Sequence, residues 1–344
     1  MINSKGRIKI VCLACPGVHA SALFGCFDVL KTAMKFGIES ADANAQKSLD
    51  VKIVAVSNET IIGWNEAKIA PEVTIEKAGV VDAIVIPAIG DANNVPEQQP
   101  PELLNWLRLN FNNGATIAGI CSGGCILAQA GLLDGEKATT HWAWATEFQR
   151  LYPKVSVHAR SSMVFSGPGH QLVTSGGGAL WNDVALFLIN RFLGHEAAIQ
   201  SAKYYLIDWG KKDQLAYCKL AATRQYFDAR IRCAQEAILS SLQSKDALKN
   251  ARAAANLPTR TFERRFKAAT GSSPVKYIQL SRIEKAKLIL ERQSLPIDDI
   301  ANECGYNDTS TFRRLFIRLV GISPSEYRRR FGSRWEGIEN VVKQ

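Results

Sequence analysis

Residues 261–277 read TFERRFKAATGSSPVKY, and residues 311–327 read TFRRLFIRLVGISPSEY. The two stretches start 50 residues apart and agree at eight of their 17 positions. In each, phenylalanines recur at i and i+4 beside arginines, as on an amphipathic helix, and a Gly-x-Ser-Pro string ends that helix and opens another. This duplication sits in the basic part of the chain. Residues 229–344 hold 22 Lys+Arg against 12 Asp+Glu, net +10, whereas residues 1–228 hold 20 against 20. A basic, duplicated helical module on a neutral body points to a polyanionic partner, and its helix pattern to double-stranded DNA.

The second copy is the clearer one. After Pro296, the apolar residues Ile297, Ile300, Ala301 and Cys304 follow i, i+3, i+4, i+7. Gly305 ends that helix, and Asn307-Asp308-Thr309 supplies cap chemistry for the next. The helix from Ser310 to Leu319 turns Phe312, Leu315, Phe316 and Leu319 inward and leaves Arg313, Arg314 and Arg318 for other faces. Helix, glycine turn and basic amphipathic helix form a helix-turn-helix, whose second helix can enter the major groove. The first copy departs from this pattern twice. Asn256 stands where the turn glycine would be, and Arg252 occupies a position where a small apolar residue is expected.

By position, the candidate base contacts are Arg260, Thr261, Glu263 and Arg264 in the first copy and Ser310, Thr311 and Arg314 in the second. Arginine suits guanine N7 and O6, whereas Ser and Thr serve bases or phosphates. Between the readers, Pro274 or Val275 to about Arg292 forms one helical run of about 18 residues, roughly 27 Å long. That is close to one turn of B-DNA, about 34 Å. These tandem readers, each followed by Gly-x-Ser-Pro-x-x-Tyr, resemble the AraC/XylS family of bacterial transcription regulators over residues 229–331. The resemblance implies an all-α DNA-binding domain, transcriptional activation as the output, and RNA polymerase as a further partner.

A chain of 344 residues implies two or three domains, and 47% apolar content is ample for their cores. No apolar run approaches the roughly 18 residues needed to span a bilayer. The N-terminal MINSKGR leads straight into a strand-like run without a signal-peptide core, so a cytoplasmic protein with no membrane partner is expected. Eight cysteines then read as reduced thiols. Cys12 and Cys15 form a C-x-x-C inside an apolar strand, where residues three apart face opposite ways, so neither a zinc pair nor a redox pair is expected. Neither a metal site nor any cofactor is expected elsewhere.

From residue 7 to about 205, β-rich runs alternate with amphipathic ones. Strands are expected at Ile8–Leu13, Val51–Val56, Ala83–Ile86, Thr116–Ile120 and Leu172–Thr174, and helices near 20–37, 101–111, 122–131, 142–150 and 180–192. Such alternation makes an α/β domain with a mostly parallel sheet, which binds ligands at the carboxyl ends of its strands. One strand end is distinctive: Gly119-Ile120-Cys121-Ser122-Gly123 fits a nucleophile elbow. It would place the Cys121 sulfur at a helix N-terminus, where thiol pKa falls.

The stretch 119–142, GICSGGCILAQAGLLDGEKATTHW, resembles the elbow region of PfpI-type domains of the class I glutamine amidotransferase-like superfamily. The likeness continues in Val173-Thr174-Ser175-Gly176-Gly177-Gly178 and implies a flavodoxin-like fold. Relatives that are enzymes pair the cysteine with a histidine just after it or with an acid near the first strand. Here those positions hold Ser122 and Ala22, while His141 and His170 lack an orienting carboxylate in the sequence. No catalytic residue is therefore assigned, and sensing of a ligand is expected. Candidate ligand contacts are Cys121, His141, Trp142 and Trp181, whose rings suit a small nitrogen-containing metabolite. A cysteine hydrolase or amidase tethered to DNA is the alternative.

Together the two halves resemble the amidotransferase-like subgroup of AraC-type regulators named after GlxA and FtrA. The expected organisation is a sensor domain over 1–207, a linker over 208–228, the DNA-binding domain over 229–331 and a tail over 332–344. Homodimerisation through the first domain is expected by the same likeness.

Overall fold

A computed structural model describes residues 7–37, 48–90, 98–210, 213–218 and 228–332. The chain divides into two compact units, Met1–Gln214 and Leu215–Gln344. The division falls inside the stretch read as a linker. Residues 211–212 and 219–227 of that stretch, and 333–344 of the tail, lie outside the described residues.

The first unit begins with β1 (Arg7–Leu13), α1 (Ala20–Gly37) and β2 (Ser48–Ala55), followed by the short hairpin of β3 (Ile61–Ile62) and β4 (Lys68–Ile69). Next come β5 (Val73–Thr74), α2 (Ile75–Ala78), β6 (Ala83–Ile86), α3 (Pro101–Asn112), β7 (Thr116–Ile120) and α4 (Gly123–Gln129). After these stand β8 (Lys137–Ala138), α5 (Ala145–Leu151), β9 (Ser156–Val157), β10 (Met163–Ser166) and β11 (Leu172–Ser175). Two helices, α6 (Trp181–Leu193) and α7 (His195–Tyr204), close the unit.

Seven strands form one sheet in the order β10-β11-β7-β6-β1-β2-β5, all parallel except β10. Every residue of β6 and β7 is buried, as expected of strands covered by helices on both faces. This is the flavodoxin-like α/β class. Strand order reverses between β1 and β6, and the carboxyl ends of β6 and β7 stand beside that reversal, where ligands of such sheets bind. The register Thr174↔Gly119 and Ser175↔Ile120 brings the end of β11 alongside the same point.

The second unit contains α8 (Ala229–Ser240), α9 (Ala247–Ala255), α10 (Thr259–Thr270), α11 (Pro274–Arg292), α12 (Ile297–Glu303), α13 (Thr309–Val320) and α14 (Pro324–Phe331). It has two separate apolar clusters rather than one. Phe262 and Phe266 of α10 pack with Tyr277 and Ile278 from the start of α11. Phe312 and Phe316 of α13 pack with Ile283, Ala286, Ile289 and Leu290 from the rest of α11. At about 1.5 Å per residue, the 19 residues of α11 span roughly 28 Å.

The repeat is explained residue by residue. Gly271 and Gly321 end the reader helices at φ 71° and 85°, a left-handed conformation that costs glycine least. Ser273 and Ser323 then cap α11 and α14 by accepting from the amides of Lys276 and Glu326, with Pro274 and Pro324 in the first turn. Tyr277 meets Phe266 edge-on at 5.2 Å, and Tyr327 meets Phe316 edge-on at 5.7 Å. Identical positions in the two copies thus do identical structural jobs.

Arg282, in the middle of α11, ties the halves together. Its guanidinium donates to the carbonyls of Leu242 (2.7 Å) and Ser244 (3.0 Å), beyond the end of α8, and lies over the Tyr306 ring at 5.4 Å. Gly305 sits in the same contact, where a Cβ would come within 2.9 Å of the Leu242 and Gln243 carbonyls. Arg282→Ala should cost about 1.5–3 kcal/mol, the range for hydrogen bonds made by a charged donor. Urea unfolding of the full chain reads this, with the exposed Lys276→Ala on the same helix as control. Equal midpoints for the two variants would remove Arg282 from this role.

Candidate nucleic-acid interface and effector site

The first reader, α10, starts after Pro258 without a side-chain cap, and Asn256 ends α9 at φ 47° in the left-handed region. Asparagine tolerates that conformation better than most residues, so the turn forms without its glycine. Arg260 and Arg264 stand exposed on α10, with no ion pair among the described residues, and Thr261 is half-buried. Glu263 is exposed but engaged: Arg252 of α9 reaches across the turn to its carboxylate at 3.1 Å. The unusual Arg252 thus stays half-buried, with Nη2 on the Glu263 carboxylate and Nε buried. Lys267 joins Arg260, Glu263 and Arg264 along a cleft of about 430 Å³ closed by Ser273 and Pro274. Sequence reasoning passed over Lys267, although its i+3 spacing from Arg264 places it on the same face.

The second reader, α13, is more firmly prepared. Asp308 caps it by accepting from the amides of Ser310 and Thr311 and from the Thr311 hydroxyl. That hydroxyl and those amides hold the Asp308 carboxyl below the usual carboxylate range. Arg314 donates to Thr311 Oγ1 at 3.2 Å, so its guanidinium is oriented before any DNA arrives. Ser310, Thr311, Arg313 and Arg314 are all exposed. Farther on, Arg329 and Arg330 pair with Glu326, whose carboxyl they pull down to about 2.

In the first unit the elbow has the geometry its glycines require. Cys121 adopts φ 56° between β7 and α4, a left-handed conformation uncommon outside glycine. A Cβ at Gly123 would lie 2.3 Å from the Ile86 carbonyl, and one at Gly119 would lie 2.9 Å from Gly124. Only glycines let the helix start so close to the sheet. The Cys121 amide donates to the Ser175 carbonyl at 2.8 Å, tying the elbow to β11.

The thiol at this elbow is buried. Burial is the largest influence on Cys121 and raises its pKa, while the amide and hydroxyl of Ser122 and the amide of His141 pull it down. Ser122 exchanges hydrogen bonds with the backbone of Ile89, donating at 2.7 Å and accepting at 2.8 Å, so it is no base. His141 meets the sulfur through its backbone. Its imidazole, whose pKa burial lowers, lies 3.3 Å from the Ala143 amide through Nδ1 and tilts against Trp142 at 5.1 Å. Ala22 is buried in α1, and His170 is exposed beside Phe165. The C-x-x-C thiols are likewise sealed, with Cys12 and Cys15 both pushed up to about 12 by burial.

Of the four ligand candidates, Cys121, His141 and Trp142 are neighbours, and Trp181 starts α6. Its indole packs against α1, where a Cβ on Gly25 would come within 2.7 Å of the ring. One buried side chain at this loop escaped the sequence reading. Gln214 is 4% exposed, and its carboxamide bonds to the Thr140 carbonyl and the Trp142 amide. A glutamine in a polar stretch carries no signal that it will fold inward.

Comparison with known proteins agrees with both halves. A family model described as the DJ-1/PfpI family matches residues 9–183, and one described as a helix-turn-helix domain matches residues 252–330. The chain belongs to the DJ-1/PfpI family. It is 29% identical over 237 residues to the HTH-type transcriptional regulator CdhR of Pseudomonas aeruginosa, covering 66% of this chain and 67% of that protein. To the HTH-type transcriptional regulator GlxA of Rhizobium meliloti it is 30% identical over 230 residues, covering 64% and 67%. The protein is accordingly a DNA-binding transcriptional regulator with an AraC-type helix-turn-helix domain. The family also contains enzymes. The isonitrile hydratase of Pseudomonas putida is 30% identical over 132 residues, which cover 38% of this regulator and 54% of that protein. A protein of known structure from Vibrio parahaemolyticus shares the fold, with 22% identity and a TM-score of 0.50 over 58% of this chain and 98% of that one. No helix among the described residues is long and apolar enough to cross a membrane.

Two outcomes follow for the regulator's sites. Arg314→Ala should lose roughly 1–3 kcal/mol of specific binding, chiefly as discrimination at one base pair. Equal weakening on specific and random duplexes would make Arg314 a phosphate contact. In the native protein at neutral pH, iodoacetamide should label the exposed Cys233 well before the buried Cys121, with Cys121 labelling climbing as pH rises toward its raised pKa. Equal rates at neutral pH would mean an open, ionised elbow thiol.

Proposed function

We propose that this regulator is an activator that reads promoter DNA with both helix-turn-helices and answers to a small nitrogen-containing metabolite bound beside Cys121, His141 and Trp142. The observation that carries the DNA reading is the pairing of two exposed arginine faces, on α10 and α13, with one helix, α11, whose two ends core both readers. Their separation of roughly one turn of B-DNA suits successive major grooves on one face of an asymmetric site. The contacts assigned to bases are Arg260, Thr261, Glu263, Arg264, Ser310, Thr311 and Arg314. Inserting five base pairs between the two half-sites turns one reader about half a turn away and should abolish specific binding in a mobility-shift assay. Unchanged affinity would reduce DNA recognition to one reader.

Sensing rather than turnover fits an elbow whose thiol is buried, raised in pKa and without a side-chain base. Trp142 and His141 offer aromatic faces to an organic cation beside it, and Trp181 is assigned to packing on α1. The regulator is further proposed to work in the cytoplasm as a homodimer and to engage RNA polymerase. Amines, betaines and amino acids should be screened by thermal shift. A metabolite at a hundred-fold excess over its Kd stabilises the folded state by about 2.7 kcal/mol. The second reading, a cysteine hydrolase or amidase of the PfpI type tethered to DNA, is separated by Cys121→Ser. Persistent regulation in a reporter strain supports sensing, and amide or isonitrile turnover by the wild type that the variant lacks overturns it.

A further inference from the structure

Gln214 is the last residue of the first unit. Its backbone is held first: its amide donates to the Arg160 carbonyl at 2.8 Å, and Asp213 forms an antiparallel bridge with Ser161. The side chain then turns inward. Its amide nitrogen lies 2.9 Å from the Thr140 carbonyl, 3.0 Å from that of Ser161 and 3.3 Å from that of Ala159. Its oxygen accepts from the Trp142 amide at 3.3 Å. Gly176 forms the opposite wall, where a Cβ would fall 2.2–2.4 Å from the three terminal atoms of the side chain.

Three carbonyls around one nitrogen and an amide donor at the oxygen are the complement of a primary carboxamide. A carboxylate would set an oxygen against carbonyls, an ammonium would leave the Trp142 amide unanswered, and an alkyl group would take a partner from all four groups, of which the Ser161 carbonyl would keep the Thr139 hydroxyl at 2.8 Å. The same peptides hold the elbow. The Thr140 hydroxyl donates to the Cys121 carbonyl at 3.2 Å, and the His141 amide faces the Cys121 sulfur.

We propose that this cradle is a primary-carboxamide site occupied in cis by Gln214, and that it latches the start of the connecting segment to the loop from Thr139 to Trp142. A ligand that shifts His141 or Trp142 displaces the Thr140 carbonyl and the Trp142 amide, which grip Gln214. Ligand occupancy and latch closure are therefore opposed, and by linkage each weakens the other. The latch stands on its own contacts; its use as a relay rests on the effector reading above.

Hydrogen exchange on the full-length protein tests it. In Gln214→Ala, exchange should accelerate about ten-fold in the peptide spanning 139–145 and in the peptide containing Asp213 and residue 214. Acetamide should restore slow exchange in the first peptide alone, since it fills the cradle but is not joined to the chain; acetate and methylammonium should restore neither. Gln214→Leu, close in volume, should behave as the alanine variant does. Wild-type exchange in the leucine variant makes Gln214 a packing residue and overturns the latch, and equal rescue by acetate, or none by acetamide, overturns the carboxamide assignment. If Gln214→Ala does not fold, Gly176→Ala expels the side chain from the other wall and should accelerate the same two peptides; unchanged exchange there also overturns the latch. For the relay, a metabolite that stabilises the wild type should speed exchange in the peptide containing Gln214, and stabilisation without that change overturns it. A latch that passes every arm while no metabolite stabilises the protein leaves only the effector reading refuted.

Discussion

Both readers depend on the packing of one helix. Neither three-helix half of the second unit encloses a core alone, since each cluster is completed by residues of α11: Tyr277 and Ile278 toward one end, Ile283 to Leu290 toward the other. Because the helix is continuous and rigid, the separation of the readers follows from its length rather than from a loop. Arg282 adds a polar tie at its middle, reaching the carbonyls after α8 while covering Tyr306. Geometry that suits DNA thus comes from the same side chains that stabilise the fold.

The copies share this frame but not their surfaces. In the second, an aspartate cap, a threonine and an arginine form a chain of hydrogen bonds that orients Arg314. In the first, the reader lacks a side-chain cap, and Glu263 is drawn to Arg252. Ordering Arg260 or Arg264 in any contact would cost conformational entropy, whereas Arg314 is already held by Thr311.

The first unit has a strained elbow whose thiol is buried. Close approach of α4 to the sheet demands glycine at 119 and 123, and Cys121 keeps its positive φ. What surrounds the sulfur are backbone amides and Ser122, whose hydroxyl is committed to Ile89. Backbone donors can steady a thiol or a ligand, but they cannot take its proton.

Much of this was legible without coordinates, because local chemistry dictated it. Phe262, Phe266, Phe312 and Phe316 announced their burial by helical spacing, the Gly-x-Ser-Pro-x-x-Tyr strings marked both helix ends, and Gly119 to Gly123 marked the elbow. Contacts between residues distant in sequence were not legible. The seat of the Trp181 indole on Gly25 of α1, the reach of Arg252 to Glu263, and the inward turn of Gln214 from the stretch read as a linker are all of this kind. By itself, the sequence determined the fold class, the central strands and the faces the reader helices bury, since propensity, capping and periodicity act over a few residues. Only the tertiary structure decided which side chains meet at the elbow and which polar groups are satisfied inside, because those outcomes turn on whether a distant backbone leaves room, as Gly25 does for an indole and Gly176 for a carboxamide.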